Sequence, residues 1–369
     1  MSDAITKTVS LLLLIFVGVL ISGKIKGKEQ REGVRTIILS LALPATIFIA
    51  LLKVDFTLEL MLVPVLALAF NFIMYFLISK LPLDSLFSIQ QNQYRTLMLI
   101  IPSLAPGLSV FPFILEYSGE STLAMAAVAD LGNKVFVLII AYIIAMRWYY
   151  KLNREFTGDG KVNLKDVLKA LVNEPVNLVV VTAILLLSSG ISYQSFPGFL
   201  KGSIDKLSLM MTPLVLLFIG MSVKFTWAQV RTIMVFLFFR SGVAFLISAL
   251  LLFMLEPANL GTALLIVVFP QSACSFWPFA HMAAVNKLET GHGKASATFD
   301  TDFAMNILAC SLPFSVILVM LIYLTQGTFT SALNVSGAGA VFLLLAAGPA
   351  LVPVFIPGSS AERPSLTQE

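Results

Sequence analysis

The ionisable side chains inside long apolar stretches are the first candidates for chemistry in this sequence. Asp130, Asn133 and Lys134 lie within one such stretch, and a spacing of four places Asp130 and Lys134 on one helical face. Because a charge in hydrocarbon costs about 2.5–3.5 kcal/mol on insertion scales, each ionisable residue is a functional candidate. Two interpretations remain open: an internal ion pair that joins helices, or a carboxylate that exchanges Lys134 for a proton or a sodium ion.

A second carboxylate and amide stand at the start of a later apolar stretch, FDTDFAMN. We expect Asp300 at the membrane interface, where a helix N-terminus favours a carboxylate, and Asp302 deeper, on the same face as Asn306. Carboxylate, amide and hydroxyl oxygens together suit sodium, whereas a buried carboxylate can take up a proton. The sequence does not decide between the ions, although no dense hydroxyl cluster surrounds Asp130 or Asp302, which favours the proton.

Arg240 is an arginine well inside an apolar stretch, FLFFRSGVAF. In a structural role it would cap carbonyl groups of a neighbouring helix or pair with Asp130 or Asp302. In a functional role its planar guanidinium would bind a substrate carboxylate through two hydrogen bonds. Both roles remain open, so Arg240 stays among the candidate substrate-binding residues.

Two apolar segments are interrupted by prolines at matching places in the two halves of the chain. They read IPSLAPGLSVFPF (residues 101–113) and VFPQSACSFWPF (residues 268–279). A bilayer supplies no water to a broken helix, and paired interruptions of this kind mark substrate sites in transporters. The positive ends of the half-helices would attract an anion. We therefore expect a crossover at Pro112 and Pro278, with an anion site lined by Ser103, Ser109, Gln271, Ser272 and Ser275.

Composition places these segments in a membrane. The chain has 369 residues, of which 58% are hydrophobic and 12% charged, and its mean hydropathy is +0.93. Such values exclude a soluble globular protein, and stretches near the roughly 20 residues that cross a bilayer recur throughout. The expected spans cover residues 8–23, 34–52, 60–79, 96–115, 122–149, 174–191, 207–223, 232–255, 261–281, 298–324 and 333–356.

The basic residues predict the orientation. Loops after the odd-numbered spans carry most of the 24 lysines and arginines, whereas the opposite loops carry only Lys7, Lys53, Lys201 and Lys206. By the positive-inside rule the N-terminus lies outside. We therefore expect an integral protein of the cell (inner) membrane, in contact with the lipid bilayer. Nucleic acid is not an expected partner, because the net charge of +4 follows the membrane loops.

Motifs for other classes of function are absent from the sequence. No GxxxxGK[ST] and no HExxH occur, which argues against ATP hydrolysis and zinc proteolysis. No Gly-x-Gly-Asp contains Asp130 or Asp302, which argues against an intramembrane aspartyl protease. Cys274 and Cys310 lie inside apolar segments and imply neither a disulfide framework nor a zinc site. We expect no enzymatic activity, no bound metal and no cofactor other than a coupling H⁺ or Na⁺.

The two halves read as copies of one five-span unit. PATIFIALLKVDF, beginning at Pro44, matches PLVLLFIGMSVKF, beginning at Pro213, and the segment endings SVFPF and SFWPF match as well. Because five is an odd number, the second copy must insert upside down. The sequence therefore predicts an all-α inverted repeat of 5+5 transmembrane helices with two crossing broken helices, plus an extra C-terminal helix. Its parts are a first repeat at 8–150, a cytoplasmic linker with a short amphipathic helix at 151–173, a second repeat at 174–324 and a C-terminal segment at 325–369.

Three stretches of the chain carry a resemblance to a known family. Residues 39–52 (LSLALPATIFIALL), 167–225 and 267–279 (VVFPQSACSFWPF) resemble the auxin efflux carrier family of permeases. The resemblance implies the ten-helix fold shared with bile acid/sodium symporters and sodium/proton antiporters, in which a scaffold domain meets a transport domain. It also implies a homodimer that carries small organic anions, often carboxylates, by an elevator-like motion. Ala105 and Val110 occupy the places of the family's Asn and Gly in the fourth span, so the family's substrate-contacting Asn is not carried over.

These observations predict a secondary active transporter of small organic anions. The broken helices would bind the anion, Asp130 and Asp302 would handle a coupling cation, and Asp302→Asn would abolish cation-driven flux. A sodium-coupled organic anion symporter of bile acid type is one alternative. A membrane sensor or scaffold without transport is another, although the short loops argue against it.

Overall fold

The computed structural model describes residues 3–25, 27–53, 58–81, 89–153, 175–222, 227–291 and 297–355. These described residues form helices and their connections, with no strand among them. The helices in chain order are α1 (Asp3–Ile21), α2 (Lys28–Ile37), α3 (Leu43–Leu52), α4 (Leu58–Lys80), α5 (Gln91–Ile100), α6 (Pro106–Ser109), α7 (Phe111–Lys134), α8 (Ala141–Leu152), α9 (Pro175–Ser188), α10 (Gly198–Leu209), α11 (Met211–Ser222), α12 (Trp227–Leu255), α13 (Leu260–Val268), α14 (Phe276–Gly291), α15 (Thr301–Leu324) and α16 (Ala332–Phe355).

Several of these helices join into longer stretches that suit a bilayer. A π-helical turn, Ile38–Ala42, links α2 to α3, and another, Val135–Ile140, links α7 to α8. In the described part of the chain, seven stretches are long and apolar enough to cross a membrane, and three shorter apolar helices accompany them. The seven are Glu29–Leu52, Leu62–Lys80, Phe111–Leu152, Gly198–Met221, Val230–Leu255, Leu260–Thr290 and Thr301–Leu324. The expectation of an all-helical polytopic membrane protein is therefore confirmed.

The stretch Phe111–Leu152 combines parts of two expected spans. Its helices meet at Gly119, whose φ of 83° and ψ of −178° depart from helical geometry. Glycine reaches this conformation readily because it has no Cβ. The end of the fourth expected span therefore passes into the fifth through a single residue, with no loop between them.

Helices of the two halves pack on one another reciprocally. Helix α1 lies against α11, and α9 lies against α3, so that the first helix of each half contacts the second helical stretch of the other half. A Cβ on Gly18 or Gly220 would collide with backbone of the facing helix, which shows how closely α1 and α11 approach. Helix α4 packs on α7, where Gly132 faces the carbonyl of Pro64. Small residues allow this closeness between membrane helices.

The structure describes the predicted C-terminal segment in part, but very little of the predicted linker. The linker predicted at 151–173, with its amphipathic helix, falls almost entirely outside the described residues. The C-terminal segment predicted at 325–369 contains α16, which packs along the length of α12. An additional helix therefore follows α15, and it packs on the helix that carries Arg240.

Candidate functional site

The two broken segments touch each other in a buried part of the molecule. The first break separates α5 from α6, and the second separates α13 from α14. The backbone N–H of Ala105 donates to the carbonyl of Ala273 at 2.8 Å, joining one break directly to the other. The N–H of Ala273 donates to Ser109 Oγ at 2.9 Å, and the N–H of Ser275 donates to Ser103 Oγ at 2.9 Å. Each break thus supplies partners for backbone groups that the other has freed, as a water-poor environment requires.

The serines at the breaks also satisfy their own helix ends. Ser103 Oγ donates to the carbonyl of Ile100 at 2.6 Å, and Ser272 Oγ donates to that of Phe269 at 2.5 Å. In both segments the serine hydroxyl donates to the carbonyl three residues earlier, at the end of the helix that precedes the break. Ser103, Ser109 and Ser272 are therefore engaged in holding the breaks, whereas Ser275 also borders open space.

Asn133 clamps the first break from the side. Its Oδ1 accepts the N–H of Leu104 at 3.1 Å, and its Nδ2 donates to the carbonyl of the same residue at 2.9 Å. Nδ2 also donates to Asp130 Oδ1 at 2.8 Å. A side-chain amide that pairs with both backbone groups of one residue replaces the helical hydrogen bonds lost at the break. Asn133 is 1% exposed, so these bonds are largely shielded from bulk water.

Three polar residues that the sequence analysis did not single out complete this network. Asn71 Nδ2 donates to the carbonyl of Pro102 at 2.6 Å and to Asn133 Oδ1 at 3.2 Å. At the second break, Ser311 Oγ accepts the N–H of Cys274 at 3.2 Å, and Ser315 Oγ donates to the carbonyl of Gln271. The sequence signal that could have identified them is a polar residue within an apolar span: Asn71 in α4, and Ser311 and Ser315 in α15.

Arg240 fulfils the structural role considered for it. It lies in α12 and is 2% exposed. Its Nε donates to the carbonyl of Ile101 at 2.9 Å, and one terminal nitrogen donates to the carbonyl of Ser103 at 3.2 Å. From the same turn of α12, the carbonyl of Ser241 accepts a hydrogen bond from Gln271 Nε2 at 3.2 Å. This turn of α12 therefore contacts both breaks, and Arg240 and Gln271 serve the crossing itself.

Asp130 and Lys134 form a close pair next to the first break. Lys134 Nζ lies 3.7 Å from Asp130 Oδ2, one helical turn apart on α7. Both side chains are buried, and Asp130 Oδ1 accepts the hydrogen bond from Asn133 noted above. The i, i+4 spacing thus brings the two charges together as the sequence predicts.

A cavity of about 80 Å³ opens beside this pair. One wall belongs to α2, the π turn and α3, and the other belongs to the two breaks with α7 and α14. Its lining residues are Arg35, Leu39, Leu43, Leu104, Ala105, Pro106, Gly107, Leu108, Asp130, Asn133, Lys134, Val137, Ser275, Phe276 and Trp277. The lining therefore combines two cationic side chains, one carboxylate, a hydroxyl and an aromatic face, at the start of α6 and of α14. Cationic groups and helix N-termini together attract anions.

Arg35 lines the cavity, although the sequence analysis did not single it out. Its guanidinium carbon lies 4.2 Å from the centroid of the Phe276 ring, the first residue after the second break. Its Nη1 lies 3.2 Å from Glu32 Oε2. A guanidinium over an aromatic face is attracted by the ring quadrupole. Arg35 thereby connects α2 to the mouth of the crossing, and only the fold could show it.

A larger cavity, of about 480 Å³, lies elsewhere between α1, α3, α7, α10 and α11. Glu116, Glu120 and several hydroxyl groups line it, and Lys53 Nζ lies 2.8 Å from Glu120 Oε2 at its edge. It contains none of the residues proposed from the sequence for substrate or ion. The crossing, with its concentration of proposed residues, therefore remains the candidate site.

The two segments do not cross at Pro112 and Pro278, where the sequence analysis expects the crossover. Pro112 is in the first turn of α7, and Pro278 is in the first turn of α14. A proline in the first turn of a helix costs no intrahelical hydrogen bond, so these two begin helices and do not break them. The prolines that adjoin the crossing are Pro102, Pro106 and Pro270.

Asp302, which the sequence analysis expects deep in a span on the face of Asn306, lies near the start of its helix. Helix α15 begins at Thr301, with Asp300 as its N-cap, and Asp300 Oδ1 accepts the N–H of Phe303 at 2.9 Å. Asp302 therefore lies in the first turn, and its side chain is exposed. Neither Asp302 nor Asn306 lines the cavity beside Asp130.

Comparison with known proteins bears on this arrangement. The chain is 26% identical, over 225 residues, to an uncharacterized transporter of Methanocaldococcus jannaschii, covering 58% of this chain and 68% of that protein. No protein-family model matches the chain. The relative described as a transporter and the polytopic helical fold together support a membrane transporter.

Proposed function

We propose that this protein is a secondary active transporter of small organic anions, of the kind found among auxin efflux carriers. The observation that carries the proposal is the crossing of two broken segments beside a cavity lined by Arg35, Lys134, Ser275 and Trp277. The two cations suit a carboxylate, and the indole ring suits an apolar body. These groups favour anion binding beside the two helix breaks.

The arrangement of the cavity walls supports an alternating-access motion. Arg35, Leu39 and Leu43 come from the stretch that packs with α9, α10 and α11 and that also contacts α7, whereas the opposite wall is the crossing. The Arg35 contact with Phe276 is one of the links between the two walls. We propose that the helices carrying the crossing slide past this wall, as in an elevator, within an inverted 5+5 repeat.

We further propose an orientation in the membrane, a homodimer and a pair of ion-coupling residues. The basic loops support an N-terminus outside the cell membrane, and the family resemblance supports a homodimer. Asp130 and Lys134, which border the cavity, are proposed as the ion-coupling pair. Asp302 has weaker support in this role because it is exposed.

The direct test records currents from proteoliposomes on a solid-supported membrane. Mono- and dicarboxylates, aromatic acids and bile salts are applied with and without proton or sodium gradients. A substrate-specific current that follows one gradient is expected and would identify both the anion and the coupling ion. If isotope exchange also fails for every anion in the panel, the anion-carrier proposal is wrong.

Arg35→Gln is expected to weaken anion binding and leave maximal flux nearly unchanged. A hydrogen bond to a charged group contributes about 1.5–3 kcal/mol, so KM for the anion should rise by about tenfold or more. Arg35→Lys keeps the charge but loses the planar stacking on Phe276, and we expect an intermediate KM. Arg31→Gln is the matched control, because Arg31 is on the same helix but outside the cavity lining. Equal KM values for Arg31→Gln and Arg35→Gln would remove Arg35 from the site.

A further inference from the structure

Helix α12 carries three consecutive residues with different partners. Arg240 donates to carbonyls of the first break, and the carbonyl of Ser241 accepts from Gln271 of the second. The next residue, Gly242, faces α16. A single turn of α12 therefore lies between the crossing and the C-terminal helix, and a shift of this turn would move all of these contacts together.

At two glycines the contact between α12 and α16 is so close that an added Cβ would force neighbouring atoms to shift. A Cβ on Gly339 would lie 3.0 Å from the carbonyl oxygen of Gly242 and 2.9 Å from Leu246 Cδ2. In the reverse direction, a Cβ on Gly242 would lie 3.0 Å from the carbonyl oxygen of Gly339 and 2.7 Å from Leu343 Cγ. The two backbones thus meet at the glycine pair, directly beside Arg240. Such approaches fix the register of two membrane helices.

Aromatic rings extend this contact on both sides of the glycine pair. The ring of Phe342, on α16, lies 5.4 Å from that of Phe245 and 5.7 Å from that of Phe238, both on α12. Phe238 also contacts Phe314 of α15 at 5.6 Å. Edge-to-face pairs of this kind hold a defined geometry. By contrast, Leu333 and Leu344 on α16 are largely exposed, as a lipid-facing side requires.

We propose that α16 is a positioning element of the crossing. By packing Gly339 against Gly242, it holds α12 in the register at which Arg240 and Ser241 tie the two breaks together. The helix beyond the 5+5 unit therefore belongs to the same body as the crossing. The proposal concerns how the crossing is held and does not depend on what the protein carries.

Cys274, which lies in the second break, supplies a local reporter. In a Cys310→Ser background, the rate at which a maleimide alkylates Cys274 in proteoliposomes measures how often the break opens to water. Gly339→Val should accelerate this alkylation by about tenfold, because overpacking a close contact shifts an opening equilibrium by roughly that factor. Gly337→Val is the matched control, since a Cβ on Gly337 meets nothing within 4 Å. Equal rates for the two variants would overturn the proposal.

Two further measurements separate positioning from general loosening. Alkylation of Cys310, which is buried in α15, is followed in a Cys274→Ser background and should keep its rate in Gly339→Val. The effects of Gly339→Val and Arg240→Lys on Cys274 should be non-additive, because both act through the same bonds. Equal acceleration at both cysteines, or additive effects, would show that α16 only stabilises the protein. Gly339→Ala, a smaller intrusion, takes the place of Gly339→Val if that variant does not fold.

Discussion

Asn133→Leu is expected to abolish transport and to lower the stability of the protein strongly. Leucine has a similar size but cannot pair with the N–H and carbonyl of Leu104, which Asn133 bonds at 3.1 and 2.9 Å. Leaving a buried polar group unsatisfied costs about 1–3 kcal/mol, so the two backbone groups alone account for roughly 2–6 kcal/mol. The partners Asn71 and Asp130 lose bonds as well. Thermal unfolding in detergent and flux in proteoliposomes measure the two effects.

Two comparison variants test the reason for this loss. Asn286→Leu removes an amide on α14 that donates to one backbone carbonyl, that of Phe299 at 2.9 Å, and should cost less stability. Asn133→Asp keeps an acceptor for the Leu104 N–H but cannot donate to its carbonyl, and it places a second carboxylate beside Asp130. We therefore expect an intermediate loss that becomes smaller as the pH falls. If Asn286→Leu and Asn133→Leu destabilise equally, the paired hydrogen bonds to Leu104 add no stability beyond that of a single amide contact.

The part of the site that lies along single helices could be predicted from the sequence. Residues four apart on a helix share a face wherever that helix is placed, so the closeness of Asp130 and Lys134 follows from their spacing. The breaks could be anticipated because an interior proline removes a helical hydrogen bond and clashes with the preceding turn. The sequence could also offer capping of carbonyls as one role for Arg240, because a buried guanidinium must find acceptors.

The part of the site that depends on packing between helices could not be predicted. Arg35 reaches the cavity only because α2 crosses the start of α14, and no local pattern encodes that contact. Which prolines adjoin the crossing depends on where each half-helix begins, and an error of a few residues exchanges Pro112 for Pro106. The same limit affects Asp302, since its burial depends on whether α15 begins before or at Thr301.

Asp130→Asn is expected to remove the dependence of flux on the ion gradient while substrate exchange continues. In the coupling proposal, a cation and Lys134 alternate as the partner of the Asp130 carboxylate, which lies 3.7 Å from Lys134 Nζ. Asparagine has no charge for a cation to neutralise, so a gradient can no longer drive the cycle. Gradient-driven uptake and isotope counterflow in the same proteoliposomes separate the two activities. Asp302→Asn should keep normal gradient dependence because Asp302 is exposed, which reverses the expectation from sequence.

The double variant Asp130→Asn/Lys134→Gln decides between coupling and a purely structural ion pair. Removing one partner of a buried pair leaves an uncompensated charge, at a cost of about 3–5 kcal/mol, so the single variant alone could lose flux by destabilisation. The double variant restores neutrality and should recover thermal stability in both interpretations. If the pair only joins turns of α7, gradient dependence returns with stability. If Asp130 exchanges Lys134 for a cation, stability returns but gradient dependence does not, because the carboxylate that binds the ion is still missing.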